Sequence, residues 1–307
     1  MPPIPPPQSE GLTTTTTHPL YWCRYSPPSP RSRMLVLHGG PGAHHDYLLP
    51  QMLELAYAHE HAHTHTRTHE CLFYDQRGGG RSKTDDRTPI TWQTHVEDLT
   101  RVIAELEPGP LTLVGYSWGG MLTLLYLIEA LAGRAGPLPV RLVLIDPAPV
   151  SRAWRTEFEA EFSRRQSSAE VAALREALGA SGLRESDPDS YRQRIFELSV
   201  AGYFADPARA QDLTPFRVTA RVQQSVWESL GDFDLIPLLA GARIPSLVVH
   251  GRQDPIPLAS SAAVANSLGA ESLWLEDCGH VPYVEQADAL FARIRQFLDE
   301  TESLVTN

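Results

Sequence analysis

The residue of this chain best placed to do chemistry is a serine set between glycines at fixed spacing. In Leu111-Thr112-Leu113-Val114-Gly115-Tyr116-Ser117-Trp118-Gly119-Gly120, a short apolar run, β-branched at Thr112 and Val114, reads as a buried strand. It ends in Gly-x-Ser-x-Gly, and apolar residues at helical spacing follow in Met121, Leu124, Leu125 and Ile128. Strand, sharp turn and helix are the context of a nucleophile elbow, which presents a serine hydroxyl on a strained turn. A turn that tight crowds the positions two before and two after the serine, so Gly115 and Gly119 stand where a side chain would collide. The helix opening at Trp118 aims its free N–H groups at any negative charge forming beside Ser117.

Attack by a serine needs a base to take its proton and an acid to orient that base. Where such an elbow sits on an open parallel sheet, the chain order is serine, acid, histidine. The acid at a later strand end is Asp254, in His250-Gly251-Arg252-Gln253-Asp254-Pro255, and His280 is the only histidine that follows it. An oxyanion needs two N–H donors already in place. Trp118 supplies one, and Gly40, in His38-Gly39-Gly40-Pro41-Gly42, is the choice for the other because a residue without Cβ lets backbone and substrate approach closely. Gly78-Gly79-Gly80 lacks the flanks of a phosphate loop and reads as a turn shaping the site wall. The histidines at 59, 61, 63, 65 and 69 have no acid or cysteine at ligand spacing and read as a solvated loop, so no metal or organic cofactor is expected. Cys278 is two residues from His280, and a bulky thiol reagent there is expected to inactivate partially.

These residues require strands that end where the unusual loops begin. Residues 1–10, with five prolines, read as a disordered arm, and the threonine run 13–17 with segment 20–25 as an edge hairpin. Further strands are expected at 34–37, 71–74, 142–145, 246–250 and 272–275, with helices between them, the first capped by Thr91. From 151 to 232 the pattern is helical without a convincing strand. The expected architecture is α/β: a mostly parallel eight-stranded sheet covered by helices on both faces, with core segments 11–150 and 233–307 and a helical cap over 151–232. Loops 38–42, 75–82, 115–119, 251–257 and 277–283 all follow strands, where ligands bind in such sheets.

Composition narrows the function classes. Twenty-six Lys and Arg against 37 Asp and Glu leave a net charge of −11, the wrong sign for nucleic acid. No run approaches the length of a membrane span, and the three cysteines form no CxxC. A cytoplasmic protein acting on a small molecule is expected; its oligomeric state is left open.

His38-Gly39-Gly40-Pro41-Gly42, Asp75-Gln76-Arg77-Gly78-x-Gly80-Arg81-Ser82 and Gly115-x-Ser117-Trp118-Gly119-Gly120 together resemble the proline iminopeptidases of the α/β-hydrolase superfamily, over roughly 34–150 and 244–300. The resemblance implies a serine aminopeptidase releasing an N-terminal residue, typically proline, from small peptides. It carries over Ser117, Asp254 and His280 as the triad, with Gly40 and Trp118 as the oxyanion hole. It also implies cap glutamates holding the substrate's amino group, but the cap does not match residue by residue. Glu228, beside Trp227, is the first candidate and Glu197 the second, each against the plainer reading of a solvated helix carboxylate. A carboxylesterase or C–C-bond hydrolase with the same triad is the alternative, and a non-catalytic ligand receptor a more distant one.

Overall fold

The computed structural model describes residues 4–57, 69–107 and 109–302. Strands β1 (Ser9–Leu12), β2 (Tyr21–Tyr25), β3 (Arg33–Leu37), β4 (Glu70–Tyr74), β5 (Thr112–Tyr116), β6 (Arg141–Ile145), β7 (Ser246–Gly251) and β8 (Glu271–Leu275) form one sheet in the order β1-β2-β4-β3-β5-β6-β7-β8. β2 pairs antiparallel with both β1 and β4, and every other pairing is parallel. Strands β4 to β7 are buried at every residue, as parallel strands covered on both faces must be.

The alternation along a strand divides the core. Leu35, Leu37, Leu113 and Leu144 face one apolar cluster, and Met34, Val36, Val114 and Val143 face the other. Helices α1 (Trp92–Leu106) and α2 (Trp118–Leu131) cover the first face. Thr91 caps α1 through a reciprocal bond with Thr94. Between β6 and β7 the chain forms α3 (Arg152–Gln166), α4 (Ala169–Ala180), α5 (Leu183–Ser186), α6 (Pro188–Val200), α7 (Ala220–Ser229) and α8 (Ile236–Leu239). Helices α9 (Leu258–Leu268), α10 (Pro282–Glu285) and α11 (Ala287–Glu300) complete the alternation, and α11 gives Leu290, Ile294 and Phe297 to the second face.

The amino-terminal edge differs from expectation. Its first strand is Ser9–Leu12, in register with Tyr21–Arg24, so the disordered-arm reading of 1–10 fails at its carboxyl end. The threonine run is the connection, because its polar groups have a better acceptor than a neighbouring strand. The Thr14 and Thr15 N–H groups and the Thr15 hydroxyl all donate to the Glu105 carboxylate of α1. Histidines 59, 61, 63 and 65 lie outside the described residues. His69 is buried, its Nδ1 2.8 Å from the Ser32 hydroxyl.

Candidate active site

The elbow between β5 and α2 forces Ser117 to φ 53 and ψ −119, a positive φ that serine rarely adopts. The glycines permit the turn. A Cβ on Gly115 would lie 2.5 Å from the Gly119 carbonyl oxygen, and one on Gly119 would lie 2.1 Å from that of Leu37. The Ser117 N–H donates to the Ile145 carbonyl at 2.9 Å, and its own carbonyl accepts from Ala148 at 2.9 Å. Backbone bonds to the end of β6 therefore hold the turn.

Three far-separated side chains meet above it. His280 Nδ1–H donates to Asp254 Oδ2 at 2.7 Å, which leaves Nε2 to accept the Ser117 hydroxyl at 2.9 Å. Asp254 Oδ1 accepts the Ile256 N–H at 2.7 Å. Burial works to raise the Asp254 carboxyl, but the charges of His280 and His250 and these hydrogen bonds hold it below its ordinary range. The neighbouring Asp146, at the end of β6, goes the other way. Burial, then the charge of Asp254, push it well above the carboxylate range, which favours its neutral form, while it accepts the Gly251 N–H at 2.8 Å. Asp146, His250 and Asp254 are the one group with metal-ligand spacing among the described residues. Both His250 nitrogens are already engaged, by Ser261 at 2.9 Å and the Ile256 carbonyl at 3.1 Å.

The glycine-rich loop after β3 lies against the serine: a Cβ on Gly39 would come 2.9 Å from Ser117 Cβ. The Gly39 N–H is taken by the Tyr47 hydroxyl at 2.7 Å. Gly40, at φ +57, has no acceptor for its N–H among the described residues, and neither does Trp118. Both line one cavity with Ser117 and His280. Gln76 locks this arrangement, donating from Nε2 to the His38 carbonyl at 2.9 Å and accepting the Trp118 indole N–H at 2.8 Å. Burial pushes His38 down to about 4, so it serves as a neutral strut whose Nε2 accepts the Gln76 N–H at 3.0 Å. The triple glycine braces this loop and does not line the cavity; a Cβ on Gly79 would sit 1.8 Å from the Ala43 carbonyl.

Of the two cap glutamates, the structure brings one to the site. Glu228 on α7 lines the cavity of Ser117, hydrogen-bonded to Gln224 at 2.7 Å and with no cationic partner among the described residues. Glu197 does not. It faces a separate hollow between α4 and α6, where Arg194 at 2.6 Å and Gln193 at 3.0 Å satisfy it. Cys278 is fully buried and burial pushes its thiol up, which removes the expected reaction with thiol reagents.

The profile of the Alpha/beta hydrolase family matches residues 34–294. The chain belongs to the alpha/beta hydrolase family. The proline iminopeptidase of Lactobacillus crispatus (strain ST1) is 25% identical over 289 residues, covering 89% of this chain and 92% of that relative. The crystal structure of proline iminopeptidase from Mycobacterium smegmatis superposes with a TM-score of 0.66 at 22% identity, covering 95% of this chain and 98% of that one. The enol-lactonase from Burkholderia xenovorans LB400 gives 0.63 at 19%, covering 94% and 100%. The eight-stranded sheet is thus the alpha/beta hydrolase fold that the motifs implied.

Within this hydrolase scaffold the segment between α6 and α7 grips the histidine loop. Tyr203 accepts the His280 N–H at 2.7 Å and lays its ring 5.1 Å from the imidazole. Glu285 accepts from Ala205 at 2.8 Å with one oxygen and from Gly279 at 2.8 Å with the other. Burial pushes its carboxyl up to about 7 against those donors and Arg209. Tyr47, Tyr203 and Glu285, which act on backbone groups, lie in no recognisable motif of the sequence. Gln76 lies in the motif Asp75-Gln76-Arg77-Gly78, so its importance is signalled there though its role is not.

Proposed function

We propose that the chain is a serine aminopeptidase that releases an N-terminal residue, preferentially proline, from small peptides. Ser117 Oγ attacks the scissile carbonyl as His280 Nε2 takes its proton and Asp254 holds the imidazole in the required tautomer. The free N–H groups of Gly40 and Trp118 receive the oxyanion. His280 then gives the proton to the departing amine, and water, deprotonated by the same nitrogen, cleaves the acyl-enzyme. No step calls for a metal or organic cofactor, and a cytoplasmic setting belongs to the same reading, in keeping with three unpaired cysteines. No helix among the described residues is long and apolar enough to cross a membrane.

The observation that carries the amine specificity is Glu228, a carboxylate that lines the cavity of the nucleophile without a cationic partner among the described residues. A charge-assisted bond to a substrate ammonium is worth about 1.5–3 kcal/mol. Glu228→Gln is therefore expected to lower kcat/KM on a prolyl amide by about 10- to 100-fold while a short acyl ester, which has no amine, is cleaved as before. Equal losses on both substrates would remove the aminopeptidase reading. A carboxylesterase or C–C-bond hydrolase is the second reading, favoured by the likeness to the enol-lactonase; it predicts ester cleavage with no turnover of prolyl amides. Ser117→Ala should abolish every activity, and binding without turnover in the wild type would leave the non-catalytic receptor.

A further inference from the structure

The cavity around Ser117, of about 610 Å³, has the size of a small-ligand site, and its charge is divided. Besides Glu228 of α7, the lining takes Arg152 and Arg155 from helix α3. Arg152 is committed to the protein: its Nε donates to the Gly231 carbonyl at 3.1 Å, and its guanidinium lies 5.7 Å from the Phe233 ring. Arg155 is held differently. Its guanidinium carbon lies over the Trp227 ring, 3.7 Å from the centroid, and Trp227 in turn packs edge-on against Trp118 at 5.6 Å. Two indoles thus link the position of a cation to the turn that bears the nucleophile.

Its neutralisation is incomplete. Among the described residues the only acidic partner of Arg155 is Glu159, at 2.7 Å, and the Glu159 side chain is 53% exposed against 17% for Arg155. Arg155 Nε is buried with no acceptor, and burial works to lower the guanidinium's pKa. A structural ion pair satisfies its N–H groups; one that leaves a sheltered N–H open beside a half-exposed carboxylate is poorly built for stability alone. A planar fork stacked on an aromatic face suits a carboxylate that arrives with a ligand.

We propose that Arg155 is a specificity-determining residue that receives a carboxylate of the substrate, displacing Glu159. Resting on the aminopeptidase reading, this makes the substrate a di- or tripeptide with a free carboxyl terminus, its ammonium at Glu228 and its carboxylate at Arg155. On the esterase reading the same carboxylate would belong to the acyl half.

The test compares prolyl-alanine with prolyl-alaninamide. The wild type is expected to favour the free acid by about tenfold or more in kcat/KM, carried mainly by KM, and Arg155→Gln to bring the ratio near one. Glu159→Gln, which frees the guanidinium, should raise the ratio, and this exposed position keeps the test alive should Arg155→Gln fail to fold. No preference in the wild type, a preference that survives Arg155→Gln, or no rise with Glu159→Gln would overturn the proposal. Should neither peptide be cleaved while esters are, the aminopeptidase reading has failed separately. In that case 4-nitrophenyl hemisuccinate is set against 4-nitrophenyl butyrate. A tenfold preference for the charged ester that Arg155→Gln abolishes places the carboxylate on the acyl half, and equal rates reject the site.

Discussion

Ser117 occupies a backbone conformation that only a locked turn makes tolerable, and the lock is built from missing side chains. Gly115 and Gly119 leave room within the elbow, and Gly279 does the same beside His280, since a Cβ there would lie 2.1 Å from the Tyr203 carbonyl. Gly279→Ala must therefore push the histidine loop away from the cap. It is expected to cost about 1–3 kcal/mol of stability, as overpacking does, and to reduce kcat on amide and ester substrates together because His280 moves with residue 279. Thermal melts beside the kinetics check both parts, and a variant with full kcat would show that the base does not depend on this contact. The three thiols give a second residue-level expectation. Cys23, Cys71 and Cys278 are all buried, so activity should survive prolonged treatment with a bulky maleimide; progressive loss in the folded protein would contradict their burial. Proximity in sequence suggests an accessible Cys278, but packing, which the sequence does not print, seals it.

At the scale of elements, the loops after β3 and β4 are joined by a buried polar cluster. His45 Nδ1 lies 2.7 Å from Asp75 Oδ1, and its Nε2 lies 3.2 Å from the Cys23 sulfur on β2. Burial alone would lower the imidazole, but Asp75 and Cys23 outweigh it and hold His45 up at about 10. Asp75, which burial works to raise, is held below its ordinary range by His45. The signs follow from linkage. A raised histidine contributes stability that is fully present below about pH 6.5 and is lost as pH rises through about 10. A depressed aspartate contributes above about pH 3.9 and loses that contribution in acid. The stability advantage of the wild type over His45→Gln should therefore shrink between pH 6.5 and 10, measured by urea melts at each pH. A constant difference would mean that the imidazolium is not the form that matters. This cluster marks the limit of what the motifs reveal. Gly40, Gln76 and Ser117 sit in short local patterns and are legible. His45, which pairs with Asp75, and Cys23, which pairs with His45, come from two other segments, and no local spacing announces them. The amino-terminal hairpin shows the same limit: β propensity favours the threonine run as a strand, but the Glu105 carboxylate on α1 takes its N–H groups.

For the molecule as a whole, the parallel core and the order of serine, acid and histidine are legible because apolar strands and strand-end loops recur in alternation. The segment from α3 to α7 is legible only as helical. Glu228 and Glu197 both stand on helices beside aromatic residues, and only the packing of those helices sends one to the cavity of Ser117 and the other to a hollow with Arg194. Tyr203 and Ala205, from that same segment, hold the loop of His280 through main-chain bonds. On the proposed function, turnover and substrate choice are therefore not separable properties of this scaffold. Transplanting the helical insert of a relative to alter selectivity would also replace the grip on residues 279 and 280. A successful chimera would have to bring across its own matching histidine loop, or retain this chain's Ala201–Tyr203 turn and the Ala205 contact with Glu285.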